Sequence, residues 1–227
     1  GSRVSSTAGN AVKIAAEDAR GQLLRVAAEL LEASPDDIEL RDRKVFVKGS
    51  PDRSIRFRDL ARKTVAWGSG TTIIGTGSWG QSIEPMNFDT GAGDCGGAYS
   101  FGAQTACVEV DTQTGQVRVS KMVVAHDLGF ALNPLAVEGQ HEGSIAGGVG
   151  HTLYEHCIEE DGQTLNPNFT GYGFPTVYDV PAEMVSLSIE TLDPVGAFGA
   201  KESGEGTQVS TIPAIVTVRW VRGSSRS

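Results

Sequence analysis

No two of the three cysteines, Cys95, Cys107 and Cys157, stand at CxxC spacing, and their scatter offers neither a zinc pattern nor an iron–sulfur ligand set. An odd number of widely spaced thiols fits a reducing, cytoplasmic setting better than a disulfide framework. Positive charge is scarce: 19 Lys and Arg stand against 28 Asp and Glu, a formal net charge of −9. With no basic run, nucleic acid and anionic membranes are not expected partners. No uninterrupted apolar segment is long enough to span a bilayer, and no leader pattern opens the sequence. Several catalytic signatures are missing too. There is no G-x-S-x-G elbow, "GSGTTI" lacks the Gly-Lys-Ser/Thr of a P-loop, and "HEGSI" lacks the second histidine of a zincin. His126, His141, His151 and His156 read as ordinary surface or core histidines.

What the chain has is length and glycine. Its 227 residues, 39% of them hydrophobic, can bury a sizeable core in one large domain or two small ones. Apolar residues at helical spacing over 10–33, among them Leu23, Ala27, Leu30 and Leu31, predict a long amphipathic helix. Residues 38–48 read as a strand pair around an Arg-Asp-Arg turn. "SIRFRDLARKTVAW" starts extended and becomes helical, and "TTIIGTG" reads as a short strand. The alternation of Ala106, Val108 and Val110, the turn "DTQTG", and Val117 with Val119 predict a hairpin. Asn133 and Pro134 suit the N-cap and first position of a helix running to about His156. "CIEEDGQTLN" suggests a second hairpin and "EMVSLSIETLD" another strand. Helices and antiparallel strands mix without regular βαβ alternation, so the expected class is α+β. The glycine-rich residues 78–100 lack a period; a loop this long is either functional or an extended wrap across another surface.

Three glycine-rich features bear on function. "GTGSWG" and "GAGDCG" match G-x-G-x-x-G, but no helix opens on either, so neither reads as a dinucleotide site. In the helix after Asn133, Gly139, Gly143 and Gly147 recur every four residues, with Gly148 and Gly150 beside them. Each costs roughly 0.5–1 kcal/mol relative to alanine. Either another backbone packs tightly there, or a planar or phosphate-bearing cofactor does, with Gln140 and His141 alongside to read it. Finally, "FGAKESGEGTQVSTIPAIV" sets Lys201, Glu202 and Glu205 among glycines just before a helix, with Ser210 or Thr211 as the expected cap and Pro213 in the first turn. A carboxylate at such a helix start can be aimed into a confined site; a polar turn is the plainer alternative.

Three stretches together resemble one family. "DLGFALNPLAVEGQHEGSIAGGVGHTLYE" resembles the molybdopterin-contacting helix of the xanthine oxidase and aldehyde oxidase family. "NFTGYGFPTVYDVPAEMVSLSIETLDPVGAFGAKESGEG" resembles its C-terminal active-site segment, and "GSRVSSTAGNAV" its pterin-binding loop and following helix. The order of segments is right and most of the chain is covered. "GAKE-x-x-EG" and "YSFGAQ" look most like the 4-hydroxybenzoyl-CoA reductase branch.

The resemblance implies that residues 1–227 are a C-terminal part of a molybdopterin-binding domain, with an incomplete α+β fold. It makes Glu205, after Gly204, the catalytic base, and Glu202 only its neighbour. Gly139 and Gln140 would contact the pterin. Ser2, Ser5 and Ser6 would hold the cofactor, with Gly1 closest to molybdenum and Lys201 a further cofactor contact; no protein side chain here is expected to ligate the metal. The implied cofactor is molybdopterin in its cytosine dinucleotide form. Iron–sulfur clusters and FAD would sit on partner chains, since this one has no ligands for them. The expected partners are the rest of the molybdenum subunit, an iron–sulfur subunit, a flavin subunit and a small-molecule substrate: aromatic, heteroaromatic, CoA-thioester or aldehyde. A reductase of the branch named would run electrons inward. The chain departs from the family in lacking the upstream substrate-pocket residues and in ending on "TVRWVRGSSRS". It therefore reads as a fragment or a piece of a split subunit. A reading from another class is a non-catalytic assembly or cofactor-insertion module.

Overall fold

The structure is a computed structural model describing residues 1–65 and 72–223, with side chains described to Thr217. Its contacts divide the chain into two compact units, Thr7–Gln81 and Gly1–Ser6 with Ser82–Ser227. Among the described residues no helix is long and apolar enough to cross a membrane.

The Thr7–Gln81 unit holds most of helix α1 (Val4–Leu31), the antiparallel sheet β1 (Ile38–Arg41), β2 (Lys44–Val47) and β3 (Ser50–Arg56), and helix α2 (Phe57–Val65). The strand pair reverses on Asp42 and Arg43, with φ of 53° and 60°. Two successive positive φ values match the right-handed twist of a tight hairpin. Ala27, Ala28, Ile38, Val45, Val47 and Leu60 form the core. The expected strand "TTIIGTG" is not one. Thr71 lies outside the described residues, and 72–77 forms no ladder pairing. Side chains of α1 take its polar groups instead: Gln22 bonds both the N–H and the carbonyl of Ile74, and Asp18 accepts from Thr76 N–H at 2.9 Å. A Cβ on Gly75 would fall 2.0 Å from the Ala15 carbonyl oxygen, and one on Gly77 2.3 Å from that of Ala11. These glycines of "GTGSWG" thus serve close packing on a helix.

The other unit is built on the sheet β4 (Gly102–Val110), β5 (Val117–Asp127) and β8 (Glu183–Ile189), with β5 central. β4 pairs with it antiparallel and β8 parallel. The return from β5 to β8 passes through helix α3 (Pro134–Leu153), the two-residue strands β6 (Glu159–Glu160) and β7 (Gln163–Thr164), and helix α4 (Phe169–Tyr172). Helix α5 (Glu205–Gly223) packs on α3 and β4. The core is Ala106, Val119, Met122, Val124, Ile145, Val149 and Ile215. A bulge decides what β5 buries. Cys107 faces Lys121 while Val108 faces Val119, so Ser120 is the extra residue. The inward set shifts from Val119 to Met122, Val124 and His126, and Lys121 stays outside, 2.6 Å from Glu183.

Asn133 caps α3 as expected, accepting from Ala136 N–H at 3.1 Å with Pro134 at the first position. The helix ends at Leu153, three residues short of His156. The expected start of the last helix at Ser210 or Thr211 is wrong: α5 begins at Glu205 and carries Pro213 inside. The Ser210 hydroxyl bonds back to the Thr207 carbonyl of the preceding turn at 3.2 Å, and that of Thr211 lies 3.2 Å from the same carbonyl. Proline leaves the Val209 carbonyl without its helical donor, and Val209 is exposed, where water can serve it.

Candidate functional site

Two loops and one helix converge in the larger unit. Asp127 and Lys201 tie the loops together: Lys201 Nζ lies 2.6 Å from Asp127 Oδ2, with both side chains 8% exposed. Burial pushes the Asp127 carboxyl up, but the hydrogen bond from Lys201 and the N–H groups of Gly129 and Thr191 outweigh it and hold it below the usual range. The Phe130 N–H donates to the Gly199 carbonyl at 2.9 Å, and Lys201 N–H to that of Leu128 at 2.7 Å. Gly129 must be glycine here. Its φ is 68°, and a Cβ would fall 2.1 Å from the Gly199 oxygen.

Beside this junction opens a cleft of about 370 Å³ whose lining includes Ser2, Ser5, Asn133, Gln140, Lys201 and Gly204. Four of these are residues singled out from the sequence. The turn Gly204-Glu205-Gly206 is held at every peptide. Ser144 Oγ donates to the Gly204 carbonyl at 2.8 Å, Ser2 Oγ accepts from Glu205 N–H at 3.1 Å, and Glu202 Oε2 accepts from Gly206 N–H at 3.3 Å. Glu205 is the first residue of α5, its side chain 61% exposed, and the Gly1 amine lies 3.6 Å from its Oε2. A negative charge is favoured at that helix end. Ser6 donates to the Arg3 carbonyl at 3.1 Å.

The glycine helix answers its two readings position by position. A Cβ on Gly148 would sit 2.5 Å from Thr211 Cβ, and one on Gly150 2.3 Å from Glu155 Oε1, so these glycines admit neighbouring parts of the fold. At Gly139 and Gly143 nothing lies within 4 Å of the added atom. Gln140 follows Gly139 and lines the cleft. Gly139 and Gly143 are exposed and leave the helical backbone bare, whereas the α3 residues that line the cleft are Ala136, Val137 and Gln140.

Sequence reasoning missed the buried polar group behind the turn. His126 is 1% exposed and its Nε2 lies 3.0 Å from Glu202 Oε1. His141, fully buried on α3, packs edge-on at 5.5 Å and reaches Ser186 Oγ with Nδ1 at 2.7 Å. Burial, then the neighbouring His126, lowers the His141 pKa and keeps the ring neutral. Burial pushes the Glu202 carboxyl up, but hydrogen bonds from His126 and Gly206 N–H win and hold it low. Nothing local in "VVAHDLG" announces this, because the bulge at Ser120 sets which face His126 takes. Among the described residues no group of three or more His, Cys, Asp or Glu side chains is placed to hold a metal ion.

Residues 1–181 match the molybdopterin cofactor-binding domain family. The chain is 34% identical over 218 residues to the nicotine 6-hydroxylase large subunit of Paenarthrobacter nicotinovorans, covering 95% of this chain and 26% of that one. It is 32% identical over 210 residues to the probable hypoxanthine oxidase XdhD of Escherichia coli (strain K12), covering 92% and 20%. Among solved structures, quinoline 2-oxidoreductase from Pseudomonas putida 86 superposes with a TM-score of 0.68 at 30% identity, over 87% of this chain and 24% of that one. The chain thus spans a fifth to about a quarter of the length of these proteins.

Proposed function

The chain belongs to the molybdopterin cofactor-binding domain family, and on that premise we propose that it is the C-terminal part of the molybdenum subunit of a hydroxylase-type oxidoreductase. The observation that carries this reading is the joining of the cleft to the Gly204-Glu205 turn, through Ser144 on α3 and Ser2. Ser2, Ser5 and Gln140 would hold the pterin by hydroxyl and amide hydrogen bonds. Gly139 and Gly143 would let it lie against α3. Gly1 and Ser6, the latter in the first turn of α1, complete the proposed cofactor-binding segment, and Lys201, which lines the cleft, ties together through Asp127 the two loops beside it. When bound, molybdopterin supplies the two-electron redox chemistry; we read it as the cytosine dinucleotide form. Glu205 acts as general base, taking up a proton at a carboxylate oxygen as the substrate is oxidised. Its exposure leaves that oxygen accessible.

An electron-poor aromatic or N-heteroaromatic ring is the substrate class we favour, as the names of the similar nicotine, hypoxanthine and quinoline enzymes suggest. An aldehyde or CoA thioester is the wider range, and the 4-hydroxybenzoyl-CoA reductase-like alternative rests on "GAKE-x-x-EG" and "YSFGAQ". Electrons would pass to iron–sulfur clusters and FAD on partner chains, in a cytoplasmic complex. The test is metal and pterin analysis of the full protein purified with its partner chains, followed by turnover of Glu205→Gln. We expect molybdenum and pterin in both proteins and turnover far lower in the variant than in the parent. No cofactor in the assembled parent would leave the assembly-module reading. Cofactor with undiminished turnover in the variant would remove Glu205 as base.

A further inference from the structure

The mechanism above leaves one ionisable cluster unused: Glu202, three residues before the base, with His126 behind it. We propose that Glu202 is the positioning residue for Glu205, a reading that rests on Glu205 as the base.

The argument begins with the first N–H groups of α5, which have no partner within the helix. Ser2 takes that of Glu205 and Glu202 takes that of Gly206. The Glu202 carboxylate is only 26% exposed and is itself held. One oxygen faces His126 Nε2 at 3.0 Å and the other accepts from Gly206 N–H at 3.3 Å; Ser100 adds a side-chain hydrogen bond. His126 Nε2 also lies 3.3 Å from the Glu202 carbonyl oxygen, while its Nδ1 has no partner among the described residues. A buried imidazole facing only acceptors at Nε2 carries its proton there and donates it. The arrangement thus needs two acceptor oxygens on one side chain. A carboxylate supplies both; an amide supplies one and turns two N–H groups toward the other donor. Gly206 is cut to the same shape: a Cβ there would fall 2.2 Å from Glu202 Oε1 and 2.7 Å from His126 Cε1. The clasp fixes the peptide immediately after Glu205, so it fixes the direction of the Glu205 side chain without touching substrate.

The experiment uses the assembled, cofactor-loaded protein, with kcat per bound molybdenum, KM, and hydrogen exchange over residues 203–208. In Glu202→Gln we expect faster exchange over that segment, unchanged molybdenum content, unchanged KM, and a kcat loss of about 10–100-fold, the scale of a slightly misaimed catalytic group. Glu202→Asp keeps the charge but is one methylene short, so a kcat loss there in the same direction assigns the effect to geometry. It also covers the case in which the glutamine variant does not assemble. Unchanged exchange and kcat would overturn the proposal. So would a fall in molybdenum content with kcat per bound metal intact, which is what a merely structural Glu202 gives. If Glu205→Gln itself retains full turnover, it is the base assignment that has failed, whatever Glu202 does to exchange.

Discussion

Thr211 on α5 lies against Gly148 on α3 so closely that a Cβ on the glycine would come within 2.5 Å of the threonine Cβ and 2.6 Å of its Cγ2. Thr211 is fully buried and its hydroxyl donates to Gln104 Oε1 on β4 at 2.8 Å. Neither side can withdraw without breaking the three-way junction that holds the start of α5.

Gly148→Ala should therefore destabilise the protein by about 1–3 kcal/mol, the range for overpacking a closed core. Denaturant titration of the full protein measures it. A neutral result would mean α3 and α5 stand farther apart than described.

Gly143→Ala should behave in the opposite sense. The added methyl meets nothing, so helix propensity alone should raise stability by about 0.5–1 kcal/mol. If the open face receives the cofactor, molybdenum content of Gly143→Val should fall while thermal stability does not. Unchanged content in the valine variant would remove Gly143 from the site.

Lys201→Met strands a buried carboxylate. Removing one partner of a buried pair costs about 3–5 kcal/mol. The sign with pH follows from Asp127, whose folded pKa lies below the usual range for an aspartate. In the parent its contribution is present above the unfolded carboxylate pKa and is lost as pH falls through the lower folded value. Without Lys201, burial raises that pKa, so the variant's deficit should be large at neutral pH and shrink in acid. Urea midpoints at neutral and acid pH decide this; a deficit independent of pH would mean that packing, rather than charge pairing, was lost.

Glu205→Gln should lower turnover by about 10²–10⁴-fold at unchanged cofactor content, the usual scale for a lost general base. Glu202→Gln should be milder. An equally deep loss in both variants would point to Glu202 as the proton acceptor.

Local chemistry was legible without coordinates. The Asn133-Pro134 cap, the strand pair reversing near its Arg-Asp-Arg stretch, with Asp42 and Arg43 as the turn and Arg41 ending β1, and the alternation through Ala106, Val108 and Val110 each depend on neighbours a few residues away, and each element formed. Part of the candidate cleft was legible as well. Ser2, Ser5, Gln140 and Lys201 carried a recognisable pattern, and all four line it.

What tertiary structure alone decided was long-range. α5 starts at Glu205 because Ser2 and Glu202 meet its first N–H groups, and the Ser2 hydroxyl comes from 203 residues away. Pro213 survives inside it because Val209 is exposed. Ile74 and Thr76 bond side chains of α1 in place of a neighbouring strand. The single extra residue at Ser120 turns His126 inward, and an inserted residue has no signature in a stretch where valine and methionine suit either face. Periodicity reports which residues share a side of an element. The partner that completes each unsatisfied backbone group is chosen only when distant segments meet, and here that choice is what holds Glu205 in place.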